Sequence, residues 1–456
     1  MRPPEAPSFF GLRAPRVHCV GAGGMGVGPL AVHLAGLGLS VTGEDDALAP
    51  EMAAQLAGAG VGVGPLPAAC EILVHSSAIG PRHPARAAAA ARGIAAVRRG
   101  EMLAEAVRGR RLVAVCGAHG KTTTTAMLIA ALRAAGFPAG FILGGLFADG
   151  SAPARAGSNE WVVAEIDESD GTIDGFSPEI TVAVSLDWDH PDFYRTAADL
   201  EAAFAGLFAR TRAAVLVSDT CPRSLRLAAR AAPGGPEYAV FGRTGEFSAT
   251  IASEAAGRMT LALGGRFPAI SAVVRAQGEF NAANAAAALA ALQLMGVAPA
   301  PRALAEYPGV RRRQAILSGE GGVTVLEDYA HHPTEIRALL TSLRGRVAKG
   351  GRLMVVFQPH RYSRTARFAA EFAAALALAD RVHLLDVYGA GEAPLPGGTS
   401  ADIYAEMKRT HGALAASYLP GGRGMGEALA EEIRAGDLVA FVGAGDIERH
   451  AREWLQ

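Results

Sequence analysis

A glycine-rich turn within CGAHGKTTTTAML (116–128) constrains the fold of this chain more than any other feature. It follows the apolar run RLVAVC (111–116) and precedes a helix-like run that begins near Thr123. Backbone N–H groups that converge at a helix N-terminus bind phosphate, and a glycine turn after a strand provides that geometry. The turn and helix start contain Gly117, Gly120, Lys121 and Thr122. We therefore predict a nucleotide phosphate site, although Val115 occupies the position of the first glycine in the pattern G-x-x-x-x-G-K-[ST].

Lysine is rare in this chain, since only 3 of the 43 basic residues are lysine, at positions 121, 349 and 408. Where arginine is the usual basic residue, a lysine in G-K-T indicates a role that a planar guanidinium fills poorly. A compact ammonium on a flexible stem can follow a β- or γ-phosphate. The alternative is an ordinary strand-to-helix turn with a surface lysine, and the lysine count favours the nucleotide site.

Two acidic clusters follow apolar strand-like runs downstream of the turn. The first contains Glu165, Asp167, Glu168 and Asp170, and the second contains Asp189 and His190. Parallel strands present such ends at the ligand-binding edge of a sheet, and magnesium bound with a triphosphate needs only a few protein oxygens. Acidic residues after strands are also often solvated loops or helix caps. Two clusters behind a phosphate turn, with the Thr122 hydroxyl beside the lysine, favour magnesium.

A second glycine pattern, G-x-G-x-x-G, lies near the beginning of the chain at Gly21, Gly23 and Gly26. It follows a strand-like run, and Asp45 lies about 20 residues further on at the end of the next run, as in dinucleotide-binding folds. The pattern alone is compatible with NAD or with the diphosphate of another nucleotide. A nicotinamide dehydrogenase would leave the second phosphate turn unexplained, so the two turns together suggest two phosphorylated ligands.

Short apolar runs alternate with helix-like runs along the chain, which is typical of α/β domains with mainly parallel sheets. New strand–loop–helix units begin near residue 110 and after EYPGVRRR (306–313), and the Ala-rich run 281–296 reads as a long helix. We predict three α/β domains, at 1–108, 109–305 and 306–456.

The overall charge and the cysteines exclude several classes of protein. With 43 basic and 44 acidic residues the chain is nearly neutral, which does not suggest a nucleic-acid surface or an anionic membrane as a partner. The four cysteines, at 19, 70, 116 and 221, form no C-x-x-C pair and are expected to be buried thiols. No run resembles a signal peptide or a membrane span, so we expect a cytoplasmic protein. We also expect it to be a monomer or a homodimer.

Motifs over nearly the whole chain resemble those of the Mur ligases of peptidoglycan synthesis. They are GAGGMG (21–26), SSAI (76–79), RRGEML (98–103), GAHGKTTTT (117–125), EIDESD (165–170), DWDHPD (187–192), GVRRR (309–313), DYAHHPTE (328–335), FQPHRYSRT (357–365) and LLDVYGAGE (384–392). This family's phosphate loop lacks the leading glycine, which accounts for Val115. The resemblance implies a Rossmann-like UDP-binding domain, a central P-loop ATPase-type domain and a Rossmann-like C-terminal domain.

The resemblance also implies roles for individual residues. The UDP-sugar site would contain Gly23, Met25, Gly26, Asp45, Ser76, Ser77 and Ala78. ATP would be bound by Gly117, His119, Gly120, Lys121, Thr122, Thr123, Asn281, Asn284, Arg312 and Asp328. The amino-acid site would contain Tyr329, His331, His360, Arg361 and Arg364. Metal ligands would be Thr122, Glu165 and His190, and the catalytic residues Lys121, His190, Arg312 and His331.

The implied reaction joins L-alanine to the lactyl carboxylate of UDP-N-acetylmuramate with ATP and Mg²⁺, Mn²⁺ being a possible substitute. The carboxylate would attack the γ-phosphate to give an acyl phosphate, which the amine of alanine would then attack. Binding both partners in a closed cleft would exclude water from the intermediate, so we expect domain closure around a hinge near Gly309.

Two departures from the family pattern and three alternatives remain open. Phe280 replaces a histidine next to the predicted adenine site, and Ala330 replaces a glycine before the His-His pair. The alternatives are a recycling ligase that attaches a tripeptide to the same sugar, a non-catalytic UDP-sugar and ATP sensor, and a nicotinamide dehydrogenase. Several family members use a carbamylated lysine in the central domain, but no lysine lies between Thr122 and Ala348, so we expect no dependence on bicarbonate.

Overall fold

The computed structural model describes residues 7–169, 171–188, 193–230 and 233–456. By their internal contacts these residues form two compact units, Met1–Val310 and Arg311–Gln456, which we call unit 1 and unit 2 and describe one at a time. Unit 1 contains two large sheets and unit 2 contains one, all of them covered by helices.

The first sheet of unit 1 is fully parallel, with the strand order β5-β4-β3-β6-β7. Its strands are β3 (Val17–Val20), β4 (Val41–Glu44), β5 (Gly62–Val63), β6 (Ile72–His75) and β7 (Ala95–Arg98), preceded by a short hairpin of β1 (Ser8–Phe9) and β2 (Leu12–Arg13). Its helices are α1 (Val27–Gly36), α2 (Pro50–Gly58), α3 (Pro84–Ala91) and α4 (Arg99–Ala106). The central strands β3 and β6 are buried along their whole length, as apolar runs in parallel sheets require.

The second sheet of unit 1 has ten strands in the order β10-β9-β11-β8-β12-β13-β14-β15-β16-β17. They are β8 (Arg111–Cys116), β9 (Gly140–Ile142), β10 (Ala154–Arg155), β11 (Trp161–Glu165), β12 (Ile180–Ala183), β13 (Ala214–Ser218), β14 (Glu237–Gly242), β15 (Phe247–Ala255), β16 (Arg258–Gly265) and β17 (Ser271–Val274). Its helices are α5 (Lys121–Ala134), α6 (Ala197–Arg210), α7 (Pro222–Ala229) and α8 (Glu279–Leu294), with a 3₁₀ turn at Thr172–Gly175. The adjacent strands β9, β11, β8, β12, β13 and β14 are parallel, as predicted, and the edge strand β10 is antiparallel to β9.

The far end of this sheet is antiparallel, which the sequence analysis did not predict. β15, β16 and β17 form a meander, and the pairing of β15 with β16 slips between Ile251 and Ser253. The outer half of β15 is exposed, so its residues show no continuous apolar run to indicate a strand.

One of the hydrophobic cores of unit 1 contains residues from both of its sheets. It contains Leu30 and Leu34 of α1 together with Val162 of β11 and Phe204 of α6. At its edge, His33 of α1 is fully buried and its Nδ1 lies 3.1 Å from the carbonyl oxygen of Arg155 in β10. Burial lowers the pKa of His33 to about 4, so the side chain packs as a neutral group. The first two sheets therefore share one interior.

Unit 2 contains a six-stranded sheet with the order β18-β19-β23-β20-β21-β22, parallel except for the edge strand β18. Its strands are β18 (Ala315–Ser318), β19 (Thr324–Asp328), β20 (Leu353–Phe357), β21 (Arg381–Leu384), β22 (Ala415–Tyr418) and β23 (Leu438–Val442). Its helices are α9 (Pro333–Arg344), α10 (Tyr362–Leu376), α11 (Ser400–Thr410), α12 (Met425–Glu432) and α13 (Ile447–Leu455), with 3₁₀ turns at Glu320–Gly322 and Pro420–Gly422. Helices cover both faces of the sheet, which gives two cores.

The architecture confirms the predicted α/β class with three mainly parallel sheets. All four cysteines are buried and unpaired, as expected. None of the described helices is both long enough and apolar enough to cross a lipid bilayer. The boundaries at residues 108 and 305 stay predictions; the second unit begins at Arg311, and Val310 bridges to Phe147 within unit 1.

Candidate functional site

The glycine-rich turn connects β8 to α5, and two of its residues must be glycine. α5 begins at Lys121, earlier than the sequence suggested, with Gly120 as its N-cap at φ +85°. A Cβ on Gly120 would lie 2.7 Å from Oδ1 of Asn284, and one on Gly117, at φ +117°, would lie 2.3 Å from the carbonyl oxygen of Ser185. A side chain would therefore be strained and would also collide at both positions. The first backbone N–H groups of α5 have no acceptor within the helix, and such groups at a helix N-terminus suit a phosphate.

Lys121 points into a group of carboxylates rather than into solvent. Its Nζ lies 3.4 Å from both carboxylate oxygens of Glu168, whose side chain is 3% exposed. Burial alone would lower the pKa of Lys121, but the charges of Glu168, Asp167 and Glu165 outweigh it and raise that pKa. The lysine is therefore a permanently charged group held in place by a buried partner.

Thr122 and Glu165, both predicted metal ligands, are in contact. The Thr122 hydroxyl donates to Oε1 of Glu165 at 3.2 Å, and Glu165 is the last residue of β11. Thr123 follows on the first turn of α5, half-buried. His119 lies in the turn itself, with its Nε2 3.0 Å from Oδ2 of Asp187. The predicted ligand His190 lies outside the described residues, as do Asp170 and Asp189.

The two asparagines predicted near adenine lie on α8, directly behind the turn. Both are buried, and the Asn281 side chain donates to the carbonyl oxygen of Gln277 at 2.8 Å. Asn284 accepts from the Thr124 hydroxyl at 3.2 Å and donates to Asn281 at 3.4 Å. The pair thus supports the turn from behind. Phe280, which stands where the family has a histidine, is half-buried beside it.

The N-terminal glycine turn is closed by a carboxylate. The N–H of Gly23 donates to Oδ2 of Asp45 at 2.8 Å, and the N–H of Ala47 donates to Oδ1 at 2.9 Å. The loop after β6 lies alongside, where the N–H of Ala78 donates to the Ser76 hydroxyl at 3.3 Å. The structure therefore brings the predicted UDP-sugar residues of three segments to one edge of the first sheet.

A cavity of about 410 Å³ extends from this glycine turn to the second sheet. Of the predicted UDP-sugar residues, it is lined by Met25, Gly26, Asp45, Ser76 and Ser77, but not by Gly23 or Ala78. Its far wall contains Gly144, Glu165 and Asp167, so the cavity reaches the acidic group around Lys121. The N-terminal glycine turn and two carboxylates of the group around Lys121, Glu165 and Asp167, therefore line one cavity within unit 1.

Several lining residues were not predicted. Arg99, the first residue of α4, lines the cavity between Gly26 and Asp167, with Nη2 3.9 Å from Oδ2 of Asp167. Gly144 also lines it, and a side chain there would collide with Glu165, since a Cβ would lie 2.6 Å from Oε2. Arg99 belongs to the motif RRGEML, so that motif was the available signal, whereas nothing in the sequence marks Gly144.

In unit 2 the predicted ATP residues Asp328 and Arg312 lie at the carboxyl end of β19 and β23. Asp328 accepts from the N–H groups of Gln314 at 2.9 Å and Ala330 at 2.8 Å. Burial raises the pKa of Asp328 to about 6 against the lowering effect of Arg313 and the two N–H donors. Arg312, at φ +59°, donates to the carbonyl oxygens of Gly443 at 3.0 Å and Gly445 at 2.8 Å.

The five predicted amino-acid residues form one group at the same edge of this sheet. His331 Nδ1 lies 3.0 Å from the carbonyl oxygen of Tyr329, which can only accept, so Nδ1 carries a proton; the same nitrogen lies 3.4 Å from Oε2 of Glu335. The His331 ring lies 5.8 Å from that of His360, and Nη1 of the buried Arg364 lies 3.3 Å from His360 Nδ1. Burial lowers the pKa of His360 to about 3, assisted by His331 and Arg364, so His360 is neutral.

Arg361 and a residue that was not predicted complete this group. Arg361, at φ +69°, is the N-cap of α10, and its N–H donates to the carbonyl oxygen of Tyr388 at 2.8 Å. The Tyr388 ring stacks on His360 with the planes 9° apart. The motif LLDVYGAGE contained Tyr388 but gave no indication of what its ring contacts. Two guanidinium groups and two imidazoles suit a ligand with a carboxylate and an amine.

Three family models match successive parts of the chain. The Mur ligase family catalytic domain matches residues 16–111, the Mur ligase middle domain residues 115–292, and the Mur ligase glutamate ligase domain residues 312–445. Their order corresponds to the three sheets.

Curated relatives and solved structures agree with these matches. The chain is 40% identical over 450 residues to UDP-N-acetylmuramate–L-alanine ligase of Kineococcus radiotolerans, covering 95% of this chain and 94% of the relative. It is 36% identical over 481 residues to the enzyme of the same name from Mycolicibacterium gilvum, covering 99% and 98%. The crystal structure of UDP-N-acetylmuramate-alanine ligase MurC from Thermotoga maritima superposes with a TM-score of 0.80 at 26% identity, covering 97% of this chain and 98% of that one. A murein peptide ligase from Psychrobacter arcticus shares the fold, with a TM-score of 0.70 at 22% identity and the same coverage.

Proposed function

This chain belongs to the Mur ligase family, and from that premise we propose that it joins L-alanine to the lactyl carboxylate of UDP-N-acetylmuramate at the expense of ATP. It is an amide-bond-forming ligase of peptidoglycan precursor synthesis that releases ADP and phosphate. The observation that carries the proposal is the cavity of unit 1, which is lined both by the N-terminal glycine turn and by the acidic group around Lys121. A UDP-sugar bound at the N-terminal glycine turn can present its carboxylate to a nucleotide bound near Lys121.

The first step is phosphoryl transfer, because a carboxylate at neutral pH is a poor acyl donor. An oxygen of the lactyl carboxylate attacks the γ-phosphorus of ATP, the bond to the β-phosphate oxygen breaks, and ADP leaves an acyl phosphate behind. Both reactants are anions, so their approach needs fixed positive charge. Lys121 supplies it, since its ammonium stays protonated and is held by Glu168.

The oxygen ligands around Lys121 fit magnesium, which prefers hard carboxylate and hydroxyl ligands. The contact between the Thr122 hydroxyl and Glu165 places two such groups together, and Asp167 and Glu168 lie in the same group of charges. Thr122 and Glu165 would hold the ion, with His190 as the third ligand expected from the sequence and Mn²⁺ as an alternative ion. Magnesium, when bound, neutralises charge on the phosphates and orients them.

The second step consumes the acyl phosphate with the amino acid bound by unit 2. Arg361 and Arg364 bind the carboxylate of alanine, and His331 in its neutral form, with the Nδ1 proton held by the Tyr329 carbonyl, accepts at Nε2 the proton that the ammonium must lose. The neutral amine attacks the acyl carbon, a C–N bond forms, and phosphate leaves with the C–O bond electrons. Asp328 would contact the ATP ribose and Arg312 the γ-phosphate.

The decisive experiment measures phosphate release with UDP-N-acetylmuramate and either L-alanine, glycine, serine or the murein tripeptide. We expect release that requires the UDP-sugar and L-alanine together. Release only with the tripeptide would identify a recycling ligase, and binding of both nucleotides without turnover would identify a sensor. Binding of a nicotinamide cofactor without ATPase activity would identify a dehydrogenase. We further propose a cytoplasmic monomer or homodimer that needs neither a membrane nor nucleic acid.

A further inference from the structure

The cavity of unit 1 is lined by more acidic than basic side chains, although the ligand proposed for it is an anion. Among the described residues that line it, three are carboxylates, Asp45, Glu165 and Asp167, and one is basic, Arg99. UDP-N-acetylmuramate carries a diphosphate and a carboxylate, so it is strongly anionic. A ligand of this kind cannot enter an acidic cavity without a cation to receive part of its charge.

Arg99 lies between the two ends of the cavity. Its Cδ crosses directly over Gly26, where a Cβ would lie 2.8 Å from that atom. Its guanidinium then extends to Asp167, with 3.9 Å between Nη2 and Oδ2. The side chain is 17% exposed, and within the described part of the chain its guanidinium donates no hydrogen bond to the protein. Its donors are thus available to a ligand.

The neighbouring arginine, Arg98, differs from Arg99 because its guanidinium is already paired within the protein. Arg98 is paired with Glu101 at 2.7 Å, and the Glu101 carboxylate also accepts from the N–H of Arg98 at 2.8 Å. That contact caps the start of α4. Arg98 serves the helix, while Arg99 is directed into the cavity.

The Arg99 guanidinium could donate hydrogen bonds to either of two anionic groups of the nucleotide sugar, the diphosphate or the lactyl carboxylate. The diphosphate has its own site, because the glycine turn ends at the N-terminus of the ten-residue helix α1. The guanidinium passes Gly26, where a Cβ would lie 3.4 Å from Nε and 3.8 Å from Cζ, and its Nη2 faces Asp167, one of the carboxylates whose charge acts on Lys121. It therefore extends from the glycine turn toward the end of the cavity where we propose phosphoryl transfer, and its terminal Nη2 faces that end.

From these contacts we infer that Arg99 is the residue of unit 1 that binds the lactyl carboxylate of the substrate and holds it next to the γ-phosphate. The inference rests on the proposed function. On binding, the guanidinium exchanges its long contact with Asp167 for two parallel hydrogen bonds to the substrate carboxylate. The residue fixes the nucleophile of the first step, and it lets the site distinguish a muramic sugar from one without the lactyl group.

The test compares two ligands that differ only in the group in question. UDP-N-acetylmuramate and UDP-N-acetylglucosamine share the uridine, diphosphate and amino sugar, and only the former has the lactyl ether. Their affinities for the full-length wild type, Arg99→Ala and Arg99→Lys are measured by calorimetry or competition. Arg98→Ala is the matched control, since it removes the adjacent guanidinium and its ion pair with Glu101 but keeps the backbone N–H that bonds to Glu101.

We expect wild type to prefer UDP-N-acetylmuramate and Arg99→Ala to lose that preference. The affinity of this variant for UDP-N-acetylmuramate should be about 10- to 100-fold weaker than that of wild type, and its affinity for UDP-N-acetylglucosamine should be unchanged. Arg99→Lys should retain part of the preference, and Arg98→Ala all of it. Equal weakening of both ligands would assign Arg99 to the diphosphate and overturn the inference, as would unchanged affinity for both. No binding of UDP-N-acetylmuramate by wild type would overturn the proposed function, and the inference with it.

Discussion

At the scale of single residues, the ion pair between Lys121 and Glu168 links catalysis to stability. Removing the lysine leaves the carboxylate of Glu168 buried without its partner, which costs about 3 kcal/mol. We expect Lys121→Ala to lower phosphate release by at least about 100-fold and also to lower the thermal midpoint. The double variant Lys121→Ala with Glu168→Gln should recover most of the stability without turnover. Recovery of turnover in the double variant would show that Lys121 acts only on the fold.

Asp328 predicts a pH dependence of ATP binding. Because burial raises its pKa to about 6, the carboxylate becomes protonated as the pH falls through that value and loses acceptor capacity for the ribose hydroxyls. We expect the KM for ATP to rise below about pH 6 in wild type. ATP phosphates titrate in the same range, so the comparison is with Asp328→Asn, whose KM should be high throughout and lack this additional rise. Parallel profiles of the two proteins would rule out the assignment.

Residues within a motif were predictable, whereas the contacts between motifs were not. Lys121, Thr122 and Glu165 could be identified because each stands in a run of residues with a recognisable pattern. Glu168 was seen as one of several acids, but only the fold shows that its carboxylate holds the lysine. The same is true of Arg99, whose neighbours Gly26 and Asp167 lie more than 60 residues away in sequence. Such contacts depend on how the strands are ordered, which no local pattern encodes.

At the scale of elements, the amino-acid group depends on loops that follow three parallel strands of the unit 2 sheet. β19, β20 and β21 end at one edge of the sheet, and the loop after β21 contributes Tyr388, which stacks on His360. The sequence predicted these three strands because each is a short apolar run. It did not predict β15 to β17, because their alternate residues face solvent and β15 extends into an exposed ribbon. Periodicity identifies buried parallel strands well and half-exposed antiparallel strands poorly.

The stacking contact gives a prediction about this loop. Tyr388 is 41% exposed, so removing its ring should hardly change stability, yet it should release His360. We expect Tyr388→Ala to raise the KM for L-alanine roughly 3- to 10-fold, the range of a stacked aromatic contact, and to leave the KM for UDP-N-acetylmuramate unchanged. Tyr388→Phe keeps the ring and should behave as wild type. A Phe variant as defective as the Ala variant would mean that the hydroxyl matters and the stack does not.

At the scale of the whole molecule, the shared core of unit 1 determines which fragments can fold. Leu30 and Leu34 of the first sheet's helix α1 pack in the same core as Val162 and Phe204 of the second. We expect a fragment of residues 1–310 to unfold cooperatively and to bind UDP-N-acetylmuramate. A fragment ending at residue 108 would expose half of this core and should lack a cooperative transition by circular dichroism. A stable 1–108 fragment would show that the first sheet needs no support from the second.

The buried ion pair has a practical consequence for chemical labelling. Lys121 is the sole lysine of unit 1, and Lys349 and Lys408 are exposed in unit 2. Acylating reagents react only with neutral amines, and the raised pKa of Lys121 keeps its amine protonated. Dyes or surface linkers aimed at lysine will therefore attach to unit 2 and spare the nucleotide turn. The rate at which Lys121 is acylated, followed by peptide mass spectrometry, would in turn report how often its contact with Glu168 opens.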